Sequence, residues 1–256
     1  MMKQKHDKQS SQDGNFLLNL RSPAEIKEAY VKLRTNLMFC MTADGTRNCK
    51  VFAVTGANQG EGKSITAANI AISFAMIGKK TLLLDADMRS SSQRRIWKNR
   101  TLTGLSDFLA EIKPLEVFSV KELPLSIVFT GTLPPNPSEL LSTEKMESII
   151  EEARKEFDYV LIDTAPASVV TDTSVIAGFV DAAIIVVRED FSPYSRIRMS
   201  IEDIDSNGAE IIGCIFNADT SNLSKTSRYG RRYGGYGKRY GYGSYGYGYG
   251  QSSSKK

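Results

Sequence analysis

VTGANQGEGKSITAANIA, residues Val54–Ala71, is the stretch that decides the fold. It opens as the end of an apolar strand, turns through a glycine-bearing loop and continues as a helix. Successive backbone N–H groups around Gly60–Ser64 can point inward at phosphate oxygens, and the helix N-terminus adds the positive end of its dipole. Glycine matters because a Cβ would block the backbone's approach. In the pattern G-x-x-x-x-G-K-[ST], met here with Ala57 at its first position, the lysine reaches the β/γ-phosphates and the hydroxyl ligates Mg²⁺. Those roles fall to Lys63 and Ser64, within a nucleotide cradle of Gly60, Glu61, Gly62, Lys63, Ser64 and Ile65. The bland alternative is a chance glycine turn before a helix; the flanking strand and helix argue against it.

Outward from this loop, short apolar runs alternate with helical stretches. The runs are VFAVT (51–55), TLLLD (81–85), SIVFT (126–130), YVLID (159–163), AAIIVVR (182–188) and IIGCIF (211–216). Several are continuously apolar, which predicts strands buried on both faces of a parallel sheet. Helices are predicted over Lys63–Ile77, Leu105–Ala110, Ser138–Lys155, Thr171–Phe179 and Pro193–Ser206. The pattern is that of an α/β fold, a doubly wound and mostly parallel sheet, in which ligands bind at the carboxyl ends of the strands. Ahead of it, Ile26, Ala29, Tyr30, Leu33, Leu37 and Met38 recur at helical spacing. Ser22 is expected as the N-cap of that amphipathic helix, with Pro23 at its first position and Glu25 completing a capping box.

Two further strand ends carry acid. In LLLDADMR (82–89), Asp85 and Asp87 project to the same side if the strand continues that far. Both would be costly to keep ionised without Mg²⁺ or donors nearby. In YVLIDTAP (159–166), Asp163 ends another apolar run, where an aspartate commonly holds Mg²⁺ opposite the serine of a phosphate-binding loop. Solvated turn aspartates are the alternative for each; their company with the loop weighs against it. Asn217 closes the last apolar run, and a turn asparagine is its plain reading.

The 256 residues, 41% of them hydrophobic, suit one well-filled domain with extensions. We divide the chain into a polar segment 1–22, a domain 23–224 and a disordered tail 225–256. From Lys225 onward there are eight Lys/Arg and no acid, so a net charge of +4 leaves residues 1–224 at −4. A mildly acidic body argues against a nucleic-acid-binding core. Cys40, Cys49 and Cys214 are scattered and expected to be free thiols. His6 is the lone histidine, which excludes a histidine-based triad. No apolar run is long enough to span a bilayer and the first residues lack the apolar core of a secretory signal, so membrane association would come through a partner or the basic tail.

That tail holds eight of the eleven tyrosines, Tyr229, Tyr233, Tyr236, Tyr240, Tyr242, Tyr245, Tyr247 and Tyr249, spaced by glycine and arginine. Flexible exposed phenols suit phosphoacceptors. Arginine among aromatics also suits RNA stacking, and plain low complexity is the third reading.

The loop, DADMR (85–89), DTAP (163–166), GTLPPNPSELL (131–141) and EAYVKLRTNLMF (28–39), taken together, closely resemble the bacterial tyrosine kinases of capsule and exopolysaccharide synthesis. The resemblance implies a P-loop fold of the deviant Walker type, ATP and Mg²⁺ as cofactors, and autophosphorylation of the tail tyrosines. It also implies Asp85 as the base with Asp87 and Asp163 on the Mg²⁺ side beside Ser64, Lys63 on the transferring phosphate, and Asn217 against adenine. Which aspartate does which job stays open. Having no membrane span, the chain is similar to the branch served by a separate membrane-embedded adaptor of the polysaccharide co-polymerase type. Self-association, a cognate tyrosine phosphatase and a place at the inner face of the plasma membrane are implied with it. Three positions depart from the pattern. Asn58 replaces the lysine that related partitioning ATPases extend across a dimer, which points away from the alternative of a non-kinase ATPase switch. Ala165 replaces a proline. Val31 replaces an arginine of an E-x-x-R-x-x-R self-association motif, of which Glu28 and Arg34 remain.

Overall fold

Apolar runs too short for a buried helix become the strands of a single seven-stranded sheet. The computed structural model describes residues 16–40 and 50–217. The strands are β1 (Val51–Gly56), β2 (Thr81–Asp85), β3 (Phe118–Ser119), β4 (Leu125–Val128), β5 (Tyr159–Asp163), β6 (Ala182–Arg188) and β7 (Glu210–Asn217). They lie in the order β3-β4-β2-β5-β1-β6-β7. Every pairing is parallel except β3 with β4. The chain starts in the middle of the sheet and winds to both sides, so the ends of β1, β2 and β5 meet at one edge.

The helices are α1 (Ala24–Met38), α2 (Lys63–Ala75), α3 (Gln93–Ile96), α4 (Leu105–Leu109), α5 (Pro137–Leu141), α6 (Glu144–Glu156), α7 (Asp172–Ala177) and α8 (Tyr194–Ser206). Alternate side chains of each strand point to opposite faces, giving two cores. On one face Phe52, Val54, Leu83 and Leu161 pack with α2 and, through Leu37, α1. On the other, Val51, Ala53, Leu84 and Ile162 pack with Met146 and Ile150 of α6, Ile176 of α7 and Ile204 of α8. At about 25 cal/mol per Å² of apolar surface removed from water, such two-sided burial is the main term favouring the sheet.

Several sequence expectations are corrected. No capping box forms at Ser22 and Glu25: α1 begins at Ala24 with Pro23 as its N-cap and no side-chain cap. The Ser22 hydroxyl instead accepts the Asn19 N–H at 3.0 Å, closing the turn ahead of the helix. The helix predicted over Ser138–Lys155 is two, because the chain becomes extended at Thr143 (ψ 149°) and restarts there. Thr143 caps α6 by accepting the Met146 N–H. Thr143→Ala should therefore lower stability by about 1 kcal/mol in chemical denaturation and leave nucleotide affinity alone.

The run 126–130 is a strand only to Val128, since the Phe129 and Thr130 carbonyls accept the Leu105 and Ser106 N–H groups at 2.8 Å and so anchor α4. β7, expected among the buried runs, is an edge strand with Cys214 and Phe216 exposed. The brief β3 and α3 escaped prediction because neither is long enough to show a period. The tail and residues 1–15 lie outside the described residues.

Candidate active site

The phosphate loop joins β1 to α2 at the carboxyl edge of the sheet. Gly60 and Gly62 have φ of +86° and +90°. A Cβ on Gly62 would collide with the Asn217 side-chain amide, so only glycine lets the end of β7 close on the loop. Asn217 Nδ2 donates to the Glu61 carbonyl at 2.9 Å. The Glu61 carboxylate is fully buried and holds the loop's shape, accepting the Asn58 N–H at 2.9 Å and the Ser192 hydroxyl at 2.6 Å. Lys63, only 6% exposed, donates its Nζ to the Asn58 carbonyl at 3.3 Å. Asn58 Oδ1 itself accepts from Arg196 of α8 at 2.6 Å, so this side chain is tied down within the chain.

Asp85 and Asp163 are register partners at the ends of β2 and β5. Both are completely buried. Asp85 accepts from the Ser91 hydroxyl at 2.5 Å and Asp163 from Gln93 Nε2 at 2.8 Å. In each the second carboxylate oxygen, Oδ1, is buried without a hydrogen-bond partner. Burial, then the charge of Asp163, pushes Asp85 up to about 8. Burial also pushes Asp163 up, to about 6, against the hydrogen bonds from Gln93 and Ser64.

Asp87 is not on a strand, as the sequence left open: β2 ends at Asp85. Its Oδ1 instead accepts the Arg89 and Ser90 N–H groups at 3.2 and 2.9 Å, making a turn that places it beside the pair. Its charge is felt by both of the other aspartates.

A family model described as an AAA domain matches residues 49–205. The tyrosine-protein kinase CpsD of Streptococcus pneumoniae is 36% identical over 207 residues, covering 80% of this chain and 89% of CpsD. The chain belongs to the bacterial tyrosine-protein kinases. EpsB of Ralstonia nicotianae, a putative tyrosine-protein kinase also 36% identical, is much longer, and the match spans 29% of it and 86% of this chain. In three dimensions the kinase domain of Escherichia coli tyrosine kinase ETK superposes with a TM-score of 0.70 at 27% identity, over 87% of this chain and 80% of that one.

In this family member the structure brings together Lys63, Ser64, Asp85, Asp87 and Asp163, with Asn217 against Gly62 of the loop. The sequence reading missed several supporting groups. Arg89 makes a two-pronged ion pair with the buried Asp172 at 2.8 and 2.9 Å, and Ser138 donates to the same carboxylate at 2.5 Å. DADMR, PPNPSELL and the N-terminus of α7 are thereby pinned to one another. The Ala165 carbonyl accepts the Thr55 and Thr173 hydroxyls at 2.8 and 2.6 Å, which fixes the backbone just beyond Asp163. Arg34 turns inward, donating to the Ser73 carbonyl at 2.8 Å, whereas Glu28 and Val31 are exposed.

The fold is that of nucleotide-binding P-loop proteins, and the acids beside the loop fit a divalent cation. Two buried carboxylate oxygens without donors are what a hard, oxygen-seeking cation would satisfy. Their raised pKa values record the cost of leaving them unpaired. No helix among the described residues is long and apolar enough to cross a membrane.

Proposed function

We propose that the chain is an ATP-dependent protein-tyrosine autokinase that phosphorylates its own C-terminal tyrosines between subunits and so regulates capsular or exopolysaccharide synthesis. The observation that carries this reading is the buried pair Asp85–Asp163, set side by side next to Lys63 and Ser64 with one free oxygen each. Mg²⁺ bound with ATP would neutralise charge on the β- and γ-phosphates. Ser64, Asp87 and Asp163 are the residues to hold it.

A phenol with pKa near 10 is only about 0.1% ionised at pH 7, so the acceptor needs a base. Asp85 suits that role, because it ends β2 beside Asp163 with one carboxylate oxygen free to accept the proton once the charge of a bound cation offsets the burial that otherwise keeps it protonated. The proton leaves the tyrosine oxygen for the Asp85 carboxylate as that oxygen bonds to γ-phosphorus and the bond to the β–γ bridging oxygen breaks. Lys63 and the amides of Gly60–Ser64 meet the charge that moves onto the leaving diphosphate. Asn217, against Gly62, would border the base of the nucleotide.

The acceptors are Tyr229, Tyr233, Tyr236, Tyr240, Tyr242, Tyr245, Tyr247 and Tyr249. The chain works at the inner face of the plasma membrane with a membrane-embedded adaptor, and a tyrosine phosphatase resets it. Asn58 in the cross-dimer lysine position favours this reading over a non-kinase ATPase switch.

Incubation with Mg·ATP followed by mass spectrometry tests it. Phosphotyrosine within 229–249 is expected, and ATP hydrolysis without it would support the switch instead. About 20 residues of fully extended chain measure at most roughly 65–70 Å, which bounds the distance over which transfer between subunits is possible. Mixing Lys63→Met chains with chains whose tail tyrosines are all Phe should put phosphate on the former. An unlabelled mixture, with wild type labelled, would mean that each chain phosphorylates only itself.

A further inference from the structure

The acidic pair has a neighbour that no sequence pattern announced. Gln93, the first residue of the four-residue α3, is fully buried. Its side-chain amide donates one N–H to Asp163 Oδ2 at 2.8 Å and the other to the Ser64 carbonyl at 2.9 Å. Its Oε1 accepts the indole N–H of Trp97, the chain's single tryptophan, at 3.1 Å. A carbonyl and a carboxylate only accept here and an indole only donates. One orientation of the amide therefore satisfies all three partners, and flipping it would set oxygen against oxygen twice and hydrogen against hydrogen once. Asp163 is held by one oxygen, and its other oxygen is left buried without a partner.

We propose that Gln93 is a positioning residue which turns Asp163 so that its free oxygen serves the metal, that Trp97 locks Gln93 in that orientation, and that Trp97 consequently reports Mg²⁺–nucleotide binding. The inference rests on the Mg·ATP reading above. The same amide ties Asp163 to Ser64, whose hydroxyl would hold the metal with it, so one side chain braces both the strand-end and the loop group. Trp97 also packs against the apolar face shared with α2, which couples the unit to the body of the domain.

Calorimetric titration of the full chain with ADP at graded Mg²⁺, with tryptophan emission followed in parallel, tests this. In wild type, Mg·ADP should shift Trp97 emission, and ADP in EDTA should shift it less. Gln93→Met keeps length and removes both donors; it should raise the Mg²⁺ concentration needed by roughly ten- to a hundredfold, the usual consequence of losing a partner behind a metal ligand. ADP affinity in EDTA should stay as in wild type, and the emission shift on adding Mg²⁺ should disappear. Gln93→Glu, which keeps the shape but sets a charge against Asp163, should fail in the same way. Trp97→Phe should raise the Mg²⁺ requirement less, in the same direction.

A packing role alone would lower the melting temperature and leave the Mg²⁺ requirement unchanged, which overturns the proposal. Should Gln93→Met not fold, an unchanged Mg²⁺ requirement in Trp97→Phe overturns it equally. Wild type binding ADP with no dependence on Mg²⁺ would instead remove the kinase reading itself.

Discussion

Lys63→Met is expected to cut tail phosphotyrosine by roughly a hundred- to a thousandfold, which corresponds to about 3–4 kcal/mol of transition-state stabilisation. The lysine head is nearly buried, contrary to what a ligand-facing side chain would suggest, and rests on a backbone carbonyl, that of Asn58. Methionine is close to lysine in length and removes only the charged head. Thermal unfolding without nucleotide should therefore change by less than about 1 kcal/mol. Quantitative phosphotyrosine blotting alongside differential scanning calorimetry reads both outcomes. Phosphorylation at the wild-type level would take the phosphate loop out of the mechanism.

Asp85→Asn should move activity and stability in opposite directions. Activity is expected to fall about a hundred- to ten-thousandfold, the span of a lost general base. Stability of the metal-free protein should rise, because the carboxylate is buried and unpaired at one oxygen. Its folded pKa of about 8 stands above the ordinary 3.8, so between those values the folded state holds more protons than the unfolded one. Each step up in pH then favours unfolding, and wild-type stability should decline from about pH 4 to about pH 8. The amide substitution removes most of that slope, leaving the smaller share of Asp163 at about 6. The variant should gain on the order of a few kcal/mol at pH 8 and little at pH 4. Denaturation curves across pH measure this. A pH-independent difference would mean that Asp85 is not held protonated by burial.

The same pair leads us to expect that nucleotide and metal bind together. A cation held by Ser64, Asp87 and Asp163 would place positive charge beside Asp85 and offset the cost of burying the two acids together. The sheet makes that cost unavoidable by fixing Asp85 opposite Asp163 in register.

Much of this was legible in the chain. Continuous apolar runs separated by helical stretches led to a parallel sheet because a strand covered on both faces has no polar side to show. GEGKS led to the phosphate loop because backbone N–H groups can converge only where glycine permits it, and Gly60 and Gly62 do have positive φ. The aspartates at 85, 87 and 163 stood out because acid at the end of an apolar strand needs a reason. Local sequence carries such information, since each inference concerns residues within a few positions of one another.

What the chain alone did not decide are the contacts between segments far apart in it. Gln93 meets Asp163 across 70 positions and Arg89 meets Asp172 across 83, and nothing in QRRI or in DTSVIA foretells either. The break at Thr143, the exposure of β7 and the inward turn of Arg34 depend on which neighbours each surface meets in the folded chain, a matter of packing. The sequence by itself determined a P-loop α/β domain with acids poised at strand ends. Only the tertiary structure decided that two of those acids share one buried site and that Gln93 donates a hydrogen bond to one of them, because side-chain hydrogen bonds are chosen by proximity in space, which the order of residues does not state.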